Sequence, residues 1–504
     1  MGVETWLLLV SVVVLAAWAY SRWRLSYWSS RGVPTPPFHQ FLGHTYKAFK
    51  ASPGAWVFAE EAYTKYGGSS FCGIYEILTP VLMIGDPDIL KHIFVKDFDH
   101  FTDRRTIKLP NEPDKLMNDM LSVKAGEDWK NLRNIMSPTF TSGKIRGMFP
   151  LICDNADVLV SFSLKQAATQ PYVDLKDNFG RFTMDTIAIC AFGIECNSFE
   201  DENAEFANAA SKFFAFPITK VIKMIVSLNL PTLSKILNLS IIPSEAKFFK
   251  DVIEETIAAR LKGHSRGDFL DLLIETRASL DSSSNKRKLL DNRSLLAQGV
   301  MFLIAGYDTT ASTLAFSSYL LAKNPKEQQR LRQELQEMVQ NHGDITYQGI
   351  MESKFFDACL METLRLYPPL PQVDRMCTKT YKMCGSDLVL SPGTIVVVPV
   401  WSLHHDPRYW PEPEQFRPDR FMSENRGNIK QFTHIPFGMG PRNCLAMRFA
   451  LMETKVALAK MILAADLQLA PGYEEIELEF GFGVIRPKKG VKLALTPLNE
   501  ECDM

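Results

Sequence analysis

Hydrophobic positions are distributed along this 504-residue chain in three different ways. Residues 6–20 (WLLLVSVVVLAAWAY) form one continuous apolar run without a charge. Most of the remaining chain repeats its apolar residues at helical spacing, and strand-like patterns are confined to residues 70–84 and 388–400. The pattern predicts a mainly α-helical body with small β-sheets, and a hairpin with its turn at Pro392-Gly393.

The longest helical pattern begins after Asp291, a good N-cap residue, and ends before the Asn-Pro pair at 324–325. Apolar residues surround its middle, which predicts a helix that crosses the core. Polar residues are unusual in the middle of a helix that crosses the core. Residues 305–310 nevertheless read AGYDTT. A helical threonine can bond the carbonyl four residues earlier, here Thr309 to Ala305, and bend the helix.

The apolar run is long enough, at the short end, to span a bilayer. A cleaved signal peptide is the alternative, because Ala17-Trp18-Ala19 fits a cleavage site. However, no Lys or Arg precedes the run, whereas Arg22, Arg24 and Arg31 follow it. The positive-inside rule then places the amino terminus in the lumen and the body in the cytoplasm. We predict an uncleaved anchor over residues 1–24, a Pro-rich linker over 25–44 and one soluble domain over 45–504.

The charge and the cysteine content of the chain argue against several classes of protein. The 56 Lys and Arg nearly cancel the 57 Asp and Glu, and a net charge of −1 argues against a nucleic-acid-binding protein. The nine cysteines form no CxxC pair, so neither a disulfide framework nor a zinc ribbon is indicated. A body in a reducing, cytosolic environment fits this pattern.

Residues 436–450 (PFGMGPRNCLAMRFA) carry the first candidate chemistry. Two glycines and a proline predict a tight loop, and the apolar residues after Cys444 predict the start of a helix. Backbone N–H groups and the helix dipole favour thiolate over thiol at such a place. The alternative is a buried cysteine that acts as a small hydrophobic residue.

This segment resembles the cytochrome P-450 superfamily of haem-thiolate monooxygenases. Phe437, Gly440, Arg442 and Cys444 match the signature Phe-x-x-Gly-x-Arg-x-Cys-x-Gly, while Ala446 replaces the last glycine. The resemblance implies haem b (iron protoporphyrin IX) with the thiolate of Cys444 as axial ligand, a cofactor-binding role for Phe437 and Arg442, and the cytochrome P-450 fold around a long central helix.

Two further motifs carry the resemblance. Glu362 and Arg365 resemble the invariant Glu-x-x-Arg pair, which implies a structural link to Arg417; an exposed i,i+3 ion pair is the alternative. The AGYDTT segment is similar to the oxygen-binding motif, which implies that Asp308 and Thr309 deliver protons to bound oxygen; a packing site of small residues is the alternative.

The resemblance also implies groups that contact cofactor and substrate. Trp129 and Arg133 lie four residues apart on a predicted helix, so both could reach one edge of the haem. The implied donors to the haem propionates are Arg105, Trp129, Arg133, Arg375 and Arg442. The implied substrate contacts are Ile304, Ala305, Leu370, Val373, Phe482 and the loop from Thr106 to Met120.

The chain looks most like the animal drug- and steroid-metabolising branch, the clan that contains family 3. This implies insertion of one atom of O₂ into a lipophilic xenobiotic or steroid, at the endoplasmic reticulum membrane. No Gly-x-Gly-x-x-Gly occurs, so the electrons of NADPH must arrive through another protein. The implied partner is a separate diflavin reductase, with cytochrome b5 as a second candidate.

Several interpretations stay open. Lys130, Lys144 and Arg146 form either a docking face for the reductase or ordinary solvated surface. Residues 213–242 form either plain core packing or a lid whose apolar side enters the membrane. A haem-thiolate isomerase that does not use O₂ is the alternative function, although Asp308 and Thr309 argue against it. A membrane-tethered haem sensor is the alternative outside enzymes.

Overall fold

The structure, a computed structural model, describes residues 3–50, 55–105, 109, 111, 114–200, 218–241, 246–263, 266–279, 290–481 and 483–498. Phe482, part of the 106–120 loop and the start of the 213–242 region therefore lie outside the described residues. The chain divides into two compact units. The first unit comprises residues 1–105, 370–414 and 428–443, and the second comprises 106–369, 415–427 and 444–504. A single domain over 45–504 stays a prediction.

Helices dominate the described chain, as the sequence predicts. They are α1 (Val3–Leu25), α2 (Thr45–Lys50), α3 (Ala55–Lys65), α4 (Pro87–Lys91), α5 (Gly126–Met136), α6 (Ser142–Thr169), α7 (Leu175–Phe192), α8 (Ile218–Asn229), α9 (Pro231–Ile236), α10 (Ala246–Leu261), α11 (Phe269–Ser279), α12 (Asn292–Lys323), α13 (Pro325–His342), α14 (Tyr347–Glu352), α15 (Lys354–Leu366), α16 (Val400–His404) and α17 (Met447–Ala464). Short 3₁₀ turns lie at Ser29–Arg31, Phe98–His100, Asp114–Asp119, Ser137–Phe140, Pro418–Phe421, Arg426–Asn428 and Gly440–Arg442, and one π turn lies at His92–Lys96.

In the part of the chain that the structure describes, the strands are short and form four small sheets. They are β1 (Phe71–Glu76), β2 (Thr79–Ile84), β3 (Val173–Asp174), β4 (Val373–Met376), β5 (Tyr381–Lys382), β6 (Val389–Leu390), β7 (Ile395–Val398), β8 (Ala465–Leu469), β9 (Leu478–Gly481), β10 (Val484–Pro487) and β11 (Lys492–Pro497). The mainly α-helical fold with small sheets is confirmed.

The first unit is built on a four-stranded sheet in the order β1-β2-β7-β4. β1 and β2 form an antiparallel hairpin, β7 runs parallel to β2, and β4 runs antiparallel to β7. The β-branched residues of β7 favour this central position, where its side chains are buried. Trp28, Leu82, Phe94 and Val396 lie in the core of this unit.

The predicted hairpin over residues 388–400 is wrong. The turn exists, because Gly393 has a φ of 87° and Thr394 N–H donates to the carbonyl of Ser391 at 3.0 Å. The strands on either side of it do not pair with each other, however. β6 pairs with β5, whereas β7 joins the central sheet. A four-residue run of buried aliphatic side chains gains more contacts between β2 and β4 than beside a two-residue strand.

The second unit is organised around α12, whose bounds confirm the prediction. Asp291 caps the helix, since its side chain accepts the N–H of Ser294 at 2.7 Å. The helix packs against α7, α10, α15 and α17. Most of its residues are buried on all sides, which is what its continuous apolar pattern predicts.

Among the described residues, two helices are long and apolar enough to cross a membrane by length and composition. α1 contains the apolar run, and the apolar side chains of residues 6–15 are exposed. α6 is the other, but it packs against α7 and α17 within the second unit, as a helix of a folded body does. α1 is therefore the candidate span.

Candidate functional site

The loop before Cys444 has a backbone that only glycine adopts easily. Gly438 and Gly440 have φ angles of 69° and 75°, in the left-handed region. A Cβ atom on Gly440 would also collide with the carbonyl oxygen of Phe94. Phe437, at the start of this loop, is half-buried. The tight loop that the sequence predicts is confirmed.

Cys444 lies three residues before α17, which begins at Met447 after Ala446 as N-cap. Its side chain is half-buried, and it carries no disulfide. The N-terminal end of a helix stabilises a thiolate through the helix dipole. The position therefore suits a thiolate ligand, whereas Cys72, Cys190 and Cys359 are buried and burial raises the pKa of each thiol.

Three arginines of the first unit, Arg104, Arg375 and Arg442, form a cluster that we call the arginine cluster. Arg375 belongs to β4 and Arg442 to the loop that precedes Cys444, and they are only 1% and 3% exposed. Arg104 Nη2 donates to the carbonyl of Arg442 at 3.3 Å, and Arg375 Nη2 donates to the carbonyl of Met439 at 3.4 Å. The cluster thus adjoins the backbone of the glycine loop.

Three cations share the arginine cluster, and the ion pair that the structure shows there joins Arg442 Nη1 to Asp103 Oδ1 at 3.5 Å. Burial lowers the pKa of Arg375 to about 9, and repulsion from Arg104 and Arg442 adds to this effect. The charge of Asp374 raises the pKa and so opposes it in part. The Nε atoms of Arg375 and Arg104 are buried and have no hydrogen-bond partner among the described residues. A buried cation needs an anion. The haem that the sequence implies has two propionate groups, and the cluster fits them.

Arg105 does not belong to this cluster. Its guanidinium binds the carboxylates of Glu76 at 2.6 Å and Asp374 at 2.5 Å, both in the first unit. Asp103 pairs with Met376 in a β-bridge, and neighbouring residues of an extended segment point to opposite sides. Arg104 therefore reaches the cluster and Arg105 does not. The sequence reasoning missed Arg104 because only the register of this bridge distinguishes the two.

In the second unit, α5 carries the other predicted propionate donors. Trp129 and Arg133 lie one turn apart on this helix, as predicted, with Trp129 buried and Arg133 half-buried. An indole N–H and a guanidinium are both suitable donors to a carboxylate. Their role toward haem stays a prediction.

The middle of α12 differs from its two ends. The helix is buried over residues 294–300 and again over 310–322, but Ala305 is exposed and Ile304 and Thr309 are half-buried. Thr309 Oγ1 donates to the carbonyl of Ala305 at 2.6 Å, which confirms the predicted bond. An accessible stretch with a threonine bonded to its own backbone therefore interrupts an otherwise buried helix.

Asp308 points away from this accessible stretch and is buried. Its Oδ1 binds Lys176 Nζ of α7 at 2.8 Å, and its Oδ2 lies 3.9 Å from Arg486 Nη1 of β10. Burial, together with the charge of Asp308, raises the pKa of the neighbouring Tyr307. The contacts of Lys176 and Arg486 with Asp308 could not be predicted from the sequence, because each residue lies far from Asp308 along the chain.

The Glu-x-x-Arg pair forms a buried network in the second unit. Glu362 and Arg365 are both 0% exposed and share two hydrogen bonds of 2.7 and 2.9 Å. Glu362 also accepts the backbone N–H of Arg417 at 2.9 Å and Arg420 Nε at 3.3 Å. The predicted link to Arg417 therefore exists through its backbone, and Arg420 supplies the side-chain contact. The exposed ion pair is ruled out.

A second buried acid connects the helix after Cys444 to α12. Glu453 of α17 is buried, and burial raises the pKa of its carboxyl well above the ordinary value, against a hydrogen bond with Thr310. A neutral acid at this place gives α17 and α12 a polar contact next to Thr309. No sequence motif that we used points to Glu453.

The remaining predicted substrate residues are accessible to different degrees. Leu370 is exposed, and Val373 is half-buried against the core of the first unit. A cavity of about 410 Å³ lies elsewhere, between α10 and the start of α12 in the second unit. Leu116, which belongs to the predicted loop from Thr106 to Met120, lines this cavity, whereas Ile304, Ala305, Leu370 and Val373 are not among its lining residues. Their roles in substrate binding stay predictions.

Comparison with known proteins shows the family to which the chain is similar over most of its length. The family model of cytochrome P450 matches residues 33–495. Cytochrome P450 3A11 of Mus musculus is 36% identical over 507 residues, which cover 99% of this chain and 97% of that protein. Cytochrome P450 3A5 of Homo sapiens is 36% identical over 98% of this chain and 96% of its own, and cytochrome P450 9e2 of Blattella germanica is 35% identical over 92% of each.

Proposed function

Because the chain belongs to the cytochrome P450 family, we propose that it is a monooxygenase that inserts one atom of O₂ into lipophilic xenobiotics or steroids. Members of this family are oxidoreductases that bind haem b with a cysteine thiolate as axial ligand.

The observation that carries the reaction type is the accessible stretch of α12. Thr309 presents a hydroxyl whose hydrogen is bonded to the carbonyl of Ala305, and the preceding residue, Asp308, directs its carboxylate to Lys176 on the buried side. An acid and an alcohol on consecutive residues can hold and transfer protons, which reduction of O₂ to water requires and a rearrangement without O₂ does not. This pair favours a monooxygenase over a haem-thiolate isomerase.

Different residues of the chain would bind different parts of the cofactor. Cys444 would supply the axial thiolate, and a thiolate-ligated haem provides the chemistry of O–O cleavage. Arg104, Arg375 and Arg442 of the first unit would bind propionate by charge-assisted hydrogen bonds. Trp129 and Arg133 of the second unit are the further candidates for this role.

Asp308 would move a proton between Lys176 and Thr309. The ammonium of Lys176 holds Asp308 Oδ1 at 2.8 Å, and the side chain of Lys176 is itself partly exposed. A proton can thus reach the buried carboxylate from the side of Lys176. Rotation of the Asp308 side chain would then bring it to the hydroxyl of Thr309, on the next residue.

The electrons would come from NADPH through a diflavin reductase, with cytochrome b5 as a second partner. The predicted docking residues Lys130, Lys144 and Arg146 are exposed in the second unit. Arg448 of α17 is also exposed and donates to Ser142 Oγ at 2.8 Å, at the start of α6. We assign these four cations to a basic face of the second unit, which would suit an acidic redox partner.

The proposed location is the endoplasmic reticulum membrane, with α1 as a single uncleaved span and the body in the cytoplasm. The exposed apolar side chains of α1 support the span. The described part of the 213–242 region supports membrane contact by a lid, because Leu233 and Ile236 of α9 and its two capping residues, Leu230 and Leu237, are exposed.

A spectrum and a turnover assay test the reaction. The reduced, CO-bound protein should show the red-shifted Soret band of thiolate-ligated haem, and Cys444→His should lose it. With reductase and NADPH, Asp308→Asn should lower the rate of product formation by about 100-fold, because a positioned acid contributes 10²–10⁴-fold. The matched control is Asp177→Asn, which removes an exposed carboxylate of α7.

Four results would each contradict a part of the proposal. An imidazole-like Soret band would remove the thiolate assignment. Rearranged product without O₂ uptake would favour the isomerase, and a thiolate haem that consumes no NADPH with any substrate would favour the sensor. Equal activity of the Asp308→Asn and Asp177→Asn variants would remove Asp308 from proton transfer.

The docking face predicts a separate kinetic effect. Lys130→Glu combined with Lys144→Glu should lower the reductase-supported rate about tenfold at low ionic strength, since the rim charges of an interface act on association. Turnover driven by added peroxide should not change, because it needs no reductase. Lys488→Glu, another exposed lysine of the second unit, is the control. An unchanged reductase-supported rate in the double variant would show that this face is ordinary solvated surface.

A further inference from the structure

The guanidinium of Arg486 lies between two carboxylates of the second unit. Its Nε donates to Glu479 Oε1 at 2.5 Å, and its Nη1 lies 3.9 Å from Asp308 Oδ2. A separation of 3.9 Å is too long for a hydrogen bond, but it allows electrostatic attraction. Arg486 is therefore hydrogen-bonded to Glu479 and faces Asp308 without bonding it.

The backbone of the β9–β10 hairpin sets the place of Arg486. Arg486 and Glu479 are direct partners in the antiparallel register, so their side chains lie on the same face of the hairpin. The N–H of Ile485 donates to the carbonyl of Pro369 at 2.9 Å, and β10 packs against α12, the helix of Asp308. A shift of about 1 Å in the guanidinium would bring it to hydrogen-bond distance of Asp308 while the backbone stays in place.

The carboxylate of Asp308 has one oxygen bound and one oxygen ready to accept a donor. Oδ1 accepts a hydrogen bond from Lys176 Nζ at 2.8 Å, whereas Oδ2 is buried and has no hydrogen-bond partner among the described residues. A buried acceptor without a donor is unfavourable, so Oδ2 would accept a cationic donor that came within reach. Arg486 Nη1 is the donor that faces it.

The two carboxylates beside Arg486 differ in exposure. The side chain of Asp308 is 3% exposed, and that of Glu479 is 37% exposed. Attraction between opposite charges is stronger where less water surrounds them. Without the charge of Glu479, the guanidinium would therefore move to Asp308. Glu479 is the opposing charge that holds Arg486 back.

We propose that Glu479 is a positioning residue, which acts through Arg486 to keep Asp308 free to turn toward Thr309. In the proposed proton transfer, the side chain of Asp308 rotates and breaks its hydrogen bond with Lys176. A second bond, from Arg486 to Oδ2, would have to break as well and would slow the rotation. The inference rests on the proposed function of Asp308 and adds two residues that regulate it.

Removing the charge of Glu479 tests this role in the full-length holoenzyme, with reductase, NADPH and testosterone as the probe substrate. Glu479→Gln should lower kcat about tenfold, because one more charge-assisted hydrogen bond must break, and should leave KM and the CO-bound spectrum unchanged. Its kcat should also fall further in D₂O than that of the wild type, since proton delivery then limits turnover. Glu477→Gln is the matched control, an exposed glutamate that pairs with Lys488 and Lys489.

A rescue variant separates positioning from an effect on the fold. Glu479→Gln combined with Arg486→Met also removes the cation, so most of the lost kcat and the wild-type solvent isotope effect should return. A crystal structure of Glu479→Gln supplies a readout apart from activity. It should show Arg486 Nη1 within hydrogen-bond distance of Asp308 Oδ2.

The results that would overturn the positioning role are distinct from those that concern Asp308 itself. A wild-type kcat in Glu479→Gln, with Asp308→Asn still slow, would overturn the role of Glu479 and leave proton transfer by Asp308 intact. An equally low kcat in the single and double variants, or an unmoved Arg486 in the crystal structure, would also overturn it. A wild-type kcat in Asp308→Asn would overturn proton transfer and positioning together.

Discussion

Each of the two units of this protein holds a group of arginines with a fully buried member, Arg375 in the first and Arg365 in the second, and the two groups differ in charge balance. In the second unit, the carboxylate of Glu362 binds Arg365 through two hydrogen bonds and also accepts from Arg417 and Arg420. In the first unit, Arg375 lies with Arg104 and Arg442, and the repulsion among them adds to burial in lowering the pKa of Arg375 to about 9. Arg365 and Arg375 are 0% and 1% exposed, so burial alone does not distinguish a structural arginine from a ligand-binding one. The presence of a carboxylate does.

The comparison has a thermodynamic meaning. A buried ion pair with satisfied geometry is costly to break from one side, because the remaining charge is left without a partner. A buried arginine that lacks its anion already carries that cost in the folded protein without ligand. The paired arginine stabilises the fold, whereas the arginine without an anion is stabilised when an anion such as a haem propionate binds.

The largest effect is expected from removing the carboxylate of the paired network. Glu362→Ala leaves Arg365 buried and unneutralised, so the free energy of unfolding should fall by about 3–5 kcal/mol. Asp419→Ala is the control, because it breaks the exposed pair with Arg330 in the same unit and should cost less than about 1 kcal/mol. Urea unfolding measures both. Equal losses in the two variants would mean that the Glu362 network does not stabilise the fold.

Removing a charge from the arginine cluster should not lower the stability of the haem-free protein, in contrast to Glu362→Ala. In haem-free protein, Arg375→Met should leave the free energy of unfolding unchanged or raise it by about 1 kcal/mol, since a buried charge without an anion is removed. Haem affinity should fall by about tenfold or more, as expected for the loss of a charge-assisted hydrogen bond. Haem transfer to an acceptor protein measures this loss.

Arg105→Met is the matched control for this variant. Its guanidinium is paired with Glu76 and Asp374, so the substitution should lower the stability of the haem-free protein and leave haem affinity nearly unchanged. If Arg375→Met behaved like Arg105→Met in both measurements, the distinction between the two kinds of buried arginine would be wrong.

The smallest effect concerns pH, because arginine does not titrate near neutrality. Burial lowers the pKa of His44 to about 4, while its ring bonds the carbonyl of Pro36 and the N–H of Tyr75. The folded protein then binds fewer protons than the unfolded chain between pH 6.5 and 4, so stability falls as pH falls through this window. The loss should be about 1 kcal/mol at pH 5.5.

His44→Phe should remove this pH dependence, although it also removes two hydrogen bonds and lowers stability at every pH. The measurement is therefore the slope of the free energy of unfolding between pH 7 and 5, compared with that of Arg105→Met as a variant that keeps the histidine. An unchanged slope in His44→Phe would show that other groups cause the acid sensitivity.

Local patterns predicted the elements of the site well. The N-cap at Asp291, the helix of Trp129 and Arg133, the glycine loop before Cys444 and the bond from Thr309 to Ala305 each depend on residues within a few positions of one another. Such features follow from backbone geometry, so the sequence is sufficient to find them. The resemblance to a family added the cofactor and the reaction.

Pairings between distant residues could not be predicted in this way. Lys176 meets Asp308 across 132 positions, and Arg104 replaces Arg105 only because of the register between Asp103 and Met376. The strands flanking Gly393 also separate into two sheets, although their sequence is that of a hairpin. In each case long-range packing decides among partners that are equally acceptable locally.

The sequence by itself determined the helical body, the candidate membrane helix, the thiolate position and the acid–alcohol pair, because periodicity, capping and spacing act along the chain. Only the tertiary structure decided which arginines are neutralised by carboxylates and which are not, and that Arg486 lies between Glu479 and Asp308. Charge balance and exposure depend on what surrounds a side chain in space, and folding brings those neighbours together from distant parts of the chain.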